Sequence, residues 1–218
     1  MWRRLPRPPA PHSSIRLPPA PSFPCGAAAP GSLDRVPHPA DGPPDPRRRL
    51  RDQREGMRME ALVLFGQALL TAITGAWIGI GVIENIRYPK VNGDLVTMVM
   101  RMDRVREERP EIYADVKGNR IESPAVHAWA YRAIIAFELL ATALLLLGAL
   151  MLLGAALGGG EGLGARMISA AGALAFSAVW GGFLVGGQWF HYWAGWKDSQ
   201  FTHFFLLLWG AILFGLLT

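Results

Sequence analysis

The sequence predicts an all-α protein: a four-helix transmembrane bundle with an amphipathic loop helix, preceded by a disordered N-terminal arm. Three observations carry this. Four apolar stretches are long enough to cross a bilayer, 14 of the 17 prolines crowd into the first 56 residues, and the third stretch ends in a burst of aromatic residues.

The arm comes first. Residues 1–56 hold 14 of the 17 prolines and 10 arginines against 5 acidic residues, while the remaining chain balances 12 basic against 12 acidic residues. The net charge of +5 therefore belongs to the arm and does not indicate a nucleic-acid-binding domain. Proline removes backbone donors and the arm has no apolar periodicity, so it is expected to be disordered. Met57 or Met59 is an alternative start, which would make the arm upstream sequence. The single cysteine, Cys25, excludes a disulfide framework.

Residues 59–218 read as one integral membrane domain with spans at about 61–83, 126–154, 167–189 and 201–217. Ala61 to Ile83 is 23 residues without a charge, and ~20 suffice to cross the hydrocarbon. The second span is interrupted only by Arg132 and Glu138, and the third carries Ser169, Ser177 and Gln188. Ser123-Pro124 is an N-cap followed by a first helical proline, and Asp198 or Ser199 is expected to cap the fourth helix. Gly158-Gly159-Gly160 breaks the second helix. Glycine pairs Gly75/Gly79 and Gly182/Gly186 are expected at helix contacts.

The loop between the first two spans is long. Leu95, Met98, Val99, Met102 and Val105 recur at helical spacing among charges, which predicts an amphipathic helix on the membrane surface, capping the bundle, or packed on the protein as a solvated loop helix. Basic residues flanking the spans number nine on the side of that loop, against two on the other, or seven if the arm is counted. That comparison leaves sidedness open.

Antiparallel connection brings one end of every span to a shared face. That face collects Glu84, Asn85, His127, Tyr131, Gln188, Trp189, His191, Tyr192, Trp193, Trp196 and His203. Along the second span Tyr131, Glu138 and Thr142 fall within ~40°, ~20° and ~60° of His127, so the four form one stripe. Glu138 lies ~18 Å below the helix start and is expected near mid-bilayer, at the depth of Thr71, Thr74 and Ser177. An ionisable group there is costly and must face the bundle interior. It is expected to serve either as a proton relay, ion site or quinone contact, or as an interhelical hydrogen bond to Thr or Ser that fixes register.

The chemistry-bearing candidates are thus Glu84, Asn85, His127, Tyr131, Glu138, Gln188, Trp189, His191, Trp193 and His203. No phosphate loop, nucleotide fingerprint, HExxH or serine elbow is present, so the expectation is a non-enzymatic protein without cofactor or metal: an accessory or assembly subunit of a membrane complex. Two alternatives stand beside it. One is a haem- or quinone-interacting protein using His127, His191 and His203; the other is a small proton-coupled transporter using Glu138. The expected partners are the lipid bilayer and other membrane subunits or further copies of the chain, not nucleic acid.

Three blocks carry a resemblance: Glu84-Asn85-Ile86 with Val99-Met100-Arg101-Met102-Asp103, then SPAVHAWAYRAIIAFELL at 123–140, then GGFLVGGQWFHYW at 181–193. Together they resemble the bacterial family of predicted small integral membrane proteins, a domain of unknown function, over about residues 59–218. In that pattern Ser-Pro-Ala-x-His opens the second helix and an in-membrane Glu follows, matching Ser123, Pro124, Ala125, His127 and Glu138. A Gly-Gly-Glu-Trp-Phe-x-x-Trp block matches Gly186, Gly187, Trp189, Phe190 and Trp193, with Gln188 in place of the acid. The resemblance implies a bacterial inner-membrane protein and no particular activity.

Overall fold

The computed structural model describes residues 45–218, so most of the arm, residues 1–44, lies outside the described residues. Helix α1 runs Pro46–Arg87, α2 Pro89–Met100, α3 Asp103–Glu108, α4 Pro110–Val116, α5 Pro124–Ala156, α6 Gly162–Trp189 and α7 Lys197–Leu217. Short 3₁₀ turns occupy Lys117–Asn119 and Tyr192–Ala194. Helices α1, α5, α6 and α7 are long and apolar enough to cross a membrane, and their outward faces carry large aliphatic side chains such as Leu62, Ile80, Leu147 and Leu150.

α1 begins fifteen residues before the apolar span, where disordered chain is expected. Asp45 caps it by accepting from the Arg47 N–H at 3.0 Å, and Pro46 occupies the first helical position. A polar helix that is marginal alone is propagated here from an already formed membrane helix, which removes the nucleation cost.

α1 packs along α5, α5 along α6 and α6 along α7, each antiparallel to the next. The seams are set by small residues. A Cβ on Gly75 would stand 3.0 Å from Leu145 Cβ, and one on Gly79 3.0 Å from Thr142 Cγ2. Gly148 lies so close to Ser169 that a Cβ there would be 2.8 Å from the Ser169 backbone, and Gly172 is as tight against Leu145. Close approach of this kind replaces the hydrophobic drive that lipid cannot supply. Gly182 and Gly186 depart from the expectation: nothing lies within 4 Å of where their side chains would be.

Trp77 of α1 reaches between α6 and α7, with ring centroids 6.2 Å from Phe176, 5.6 Å from Trp180 and 6.0 Å from Trp209. At one end of the bundle Gln67 joins three helices. It accepts from Arg166 Nε at 3.0 Å and donates to the Leu216 carbonyl at 2.6 Å.

The long loop folds differently from the expected single surface helix. Tyr88 breaks α1 before Pro89, because the residue before a proline is driven out of the helical region. α2 then continues up the same side of α5: Gly93 faces the Tyr131 ring, and Asp94, Thr97 and Arg101 line a small polar pocket with Pro124 and His127. Met102, in the left-handed region at φ 57°, ends this run and starts α3. Met102, Val105 and Ala194 form a second small core, on which Tyr113, Phe190 and Trp193 pack. The pattern from Leu95 to Val105 thus belongs to two helices, and the second docks on the turn before α7.

Two expected caps are not made by side chains. Ser123 holds the N-cap position of α5 through its carbonyl, which accepts from His127 N at 3.1 Å. α7 starts at Lys197, behind Trp196, so Asp198 and Ser199 lie inside its first turn.

Candidate functional site

The stripe on α5 is real and faces α1 and then α2. Asn85 donates to Glu138 Oε2 at 2.8 Å and accepts from Asn92 Nδ2 at 2.5 Å, while Tyr131 OH donates to the Asn85 carbonyl at 2.9 Å. Asn85 and Glu138 are both buried. Three helices therefore meet on one asparagine. An unpaired buried amide or carboxyl would be expensive, so this triangle fixes the register of α1 and α2 against α5.

The depth of Glu138 differs from the expectation. Gln67 and the Arg166 guanidinium mark the other hydrocarbon boundary, where a snorkelling arginine ends. Asn85 is eighteen residues further along α1, ~27 Å at 1.5 Å per residue against a hydrocarbon core of ~30 Å. Glu138 therefore sits near the opposite boundary and not at mid-bilayer. The part of α5 from Pro124 to Phe137 runs beside α2 above that level. Thr71 and Thr74 are ~21 and ~16 Å from Asn85 along α1 and share no contact with Glu138; Thr74 bonds its own helix at the Leu70 carbonyl.

Above the tight seam at Gly148 and Gly172, the space between α5 and α6 forms a half-enclosed cleft of about 660 Å³. Gly182, Gly186, Ala133 and Ala178 leave the room; α2 covers one side. Glu138, Asn85, Asn92 and Tyr131 stand on one wall, and Trp180, Phe183, Tyr192 and His203 on the other. His203 stacks against Phe183 at 4.8 Å and Trp180 at 5.5 Å, and its Nδ1 shares a 2.8 Å hydrogen bond with Tyr192 OH. Burial pushes the Tyr192 phenol up to about 12, so it stays a neutral hydroxyl.

Tyr192 reaches this position because Gly187 has no side chain; a Cβ there would collide with the tyrosine ring. His191, in the left-handed region at φ 52°, reverses the chain directly before it. Among the described residues the Trp180 indole N–H, in a residue only 8% exposed, is buried without a hydrogen-bond partner, and Glu138 is bonded at Oε2 by Asn85.

The other sequence candidates fall elsewhere. His127 is buried and donates from Nε2 to the Ile121 carbonyl at 2.8 Å, facing α2 and the small polar pocket. His191 bonds the Trp189 carbonyl at 3.1 Å. Trp189 is exposed and exchanges two hydrogen bonds with Asn119, tying the loop to the end of α6. Trp193 packs in the second core, and Glu84 and Gln188 are exposed and off the cleft. Among the described residues no group of three or more His, Cys, Asp or Glu is placed to hold a metal ion. Sequence reasoning missed Asn92, Trp180, Phe183 and Ser199. Trp180 carried a signal: a tryptophan far from a helix end needs an acceptor for its N–H.

The model of the family described as predicted small integral membrane protein (DUF2165) matches residues 63–218. The chain belongs to this family. The match takes in all four crossing helices and starts inside α1, beyond its polar first turns. The chain is a multi-pass protein of the bacterial inner membrane. No curated protein and no solved structure matches the chain. In the run from Gly186 to Trp193 the structure gives the residues separate tasks. Gly186 lines the cleft, Gly187 admits Tyr192, Trp189 holds the loop, and Phe190 and Trp193 cover α3.

Proposed function

We propose that this protein is a non-enzymatic accessory component of the bacterial inner membrane that holds a lipid-soluble amphiphile in the cleft between α5 and α6. The carrying observation is the apolar cleft at a hydrocarbon boundary with polar groups on facing walls. Such a site takes the head of a molecule whose tail remains in lipid. Gly182 and Gly186 sit where a helix contact is absent, which supports a role in keeping the cleft open.

The wall is built to bind more than to react. Glu138 is held by Asn85 and the His203 ring by Tyr192, so neither is poised against a nucleophile. A bis-histidine haem is disfavoured because His127, His191 and His203 each engage a different partner, and only His203 lines the cleft. A proton path through the bilayer at Glu138 loses support from its position near a boundary.

The test is purification of the protein from native membrane, with identification of co-purifying proteins and of extracted small molecules by mass spectrometry. A bound amphiphile is expected, lost in Gly186→Leu, whose Cβ meets nothing within 4 Å and whose larger side chain takes up cleft space. An identical extract from wild type and Gly186→Leu would sink this function.

A further inference from the structure

We propose that the polar start of α1, residues 46–60, is a docking face for an acidic amphipathic helix of a partner protein. The cleft plays no part in this contact. It gives the accessory role a partner surface, and the failure of either leaves the other standing.

The packed edge of α1 continues past the end of the bundle. Leu64 is 4% exposed and lies against Gly162. Met57 and Leu50 stand seven and fourteen residues before it, so they share its face to within ~40°. They are nevertheless 63% and 57% exposed. At this end of the bundle the other described elements are the turn at 157–161 and the end of α7, and neither rises to cover them. A seven-residue recurrence of apolar side chains is the edge along which one helix seats on another.

Charge says what kind of helix. Arg47, Arg51, Arg54 and Arg58 follow one another at steps of four, three and four, within ~60° of a common line. Arg47 and Arg54 border the apolar edge directly, ~60° from Leu50 and Met57. Asp52 and Glu55 are turned ~150° away from that edge. Arg51 faces Glu55 at 3.7 Å, with both side chains about two-thirds exposed, a pair that water screens. An apolar edge flanked by arginines fits a helix with an apolar edge flanked by carboxylates, and arginine is a common anchor in such contacts.

Other occupants fit less well. Arg58 and Arg47 are nine and twenty residues before Gln67, which marks the hydrocarbon boundary. They therefore stand ~13 and ~30 Å beyond it along the helix, against a headgroup layer of ~5–8 Å. Lipid heads reach the lowest arginine and miss the rest. A second copy running alongside would set arginine against arginine. Residues 1–44 hold five arginines and only Asp34 and Asp41, so they supply no acidic face. A nucleic-acid backbone would take the arginines and leave Leu50 and Met57 in water.

The experiment uses the full chain in phosphatidylcholine nanodiscs and two fluorescent helical peptides of one composition. In the first, leucines recur every seven residues with glutamates beside them; in the second the same residues are scrambled. Fluorescence anisotropy should show saturable binding of the patterned peptide, about tenfold tighter than the scrambled one and weakening as salt is raised. The double variant Arg47→Glu, Arg54→Glu should lose about tenfold or more, and a patterned peptide with lysine for glutamate should bind that variant and not the wild type. Leu50→Gln with Met57→Gln should weaken binding about fivefold and leave its salt dependence in place. Glutamine keeps helix propensity, and circular dichroism verifies the helix content of every variant. Equal binding of both peptides would mean charge attraction without a docking face and would overturn the proposal. Displacement of the patterned peptide by phosphatidylglycerol vesicles or by a short DNA duplex, at matched charge, would assign the arginines to phosphates and overturn it as well.

Discussion

The two kinds of glycine in α5 and α6 make a sharp comparison, because the same substitution should act with opposite sign. Alanine at Gly148 puts a methyl 2.8 Å from the Ser169 backbone, and alanine at Gly172 puts one 2.9 Å from Leu145 N. Backbone cannot rotate away as a side-chain tip can, so the helices must part. Overpacking of this kind costs ~1–3 kcal/mol, against a helix-propensity gain of ~0.5–1 kcal/mol. At Gly182 and Gly186 only the gain remains, since their side-chain positions are open. Propensity cancels between the pairs, which leaves a difference of ~1–3 kcal/mol. At ~2–4 °C per kcal/mol for a chain of this size, the melting temperatures should differ by roughly 2–12 °C. Thermal unfolding in one detergent, followed by tryptophan fluorescence and by the fraction left soluble, measures it. Equal destabilisation at Gly186 and Gly148 would refute the open cleft, since it would place a helix against Gly186.

Other expected outcomes follow from single contacts. Asn85→Ala leaves the Glu138 carboxyl and Asn92 short of a partner and should cost ~1–3 kcal/mol, with faster proteolysis of the α1–α2 joint; unchanged melting and cleavage would remove the triangle as the register lock. Gly187→Ala should displace Tyr192 and break its bond to His203, seen as a lowered melting point and a tyrosine that titrates near its ordinary range. Because the folded-state value for Tyr192 is raised above its unfolded one, its contribution is present below about pH 10 and fades as pH rises toward 12. Alkaline melting of wild type against Tyr192→Phe checks this, and parallel curves would count against it. Trp77→Leu removes three ring pairs, each ~0.5–1.5 kcal/mol, and should loosen α1 from α6 and α7 without affecting ligand binding.

Much of this architecture is legible in the sequence for simple reasons. Hydrocarbon demands uncharged runs, so the four crossing helices appear as composition alone. The stripe of His127, Tyr131, Glu138 and Thr142 is also visible, because helical geometry fixes which residues share a face. The partners of that stripe are not visible. Asn92 meets Asn85 only because the chain breaks at Tyr88 and then resumes its course along α5, a path chosen by packing and not by periodicity. The aromatic end of α6 shows the same limit. An aromatic belt is readable from Trp189 to Trp196, but which rings face lipid, loop or cleft depends on the reversal at His191 and the room at Gly187. Gln188, central in the linear motif, consequently ends on the outside.

The tie at Gln67 gives the bundle a mechanical character. Three crossing helices are fastened to one another at that end, and the interlocked glycines hold α5 to α6 up to Gly172. Beyond Gly172 the two helices part from each other over about 21 Å to the level of Gly186, α5 still held to α1 and α6 to α7. A tilt of about 5° at the fulcrum moves the tip by about 2 Å and widens the mouth of the cleft, while every polar tie at the fixed end stays closed. Entry from the bilayer would then need no unfolding and no parting of the whole seam, only the flexing of a clamp pinned at its far end.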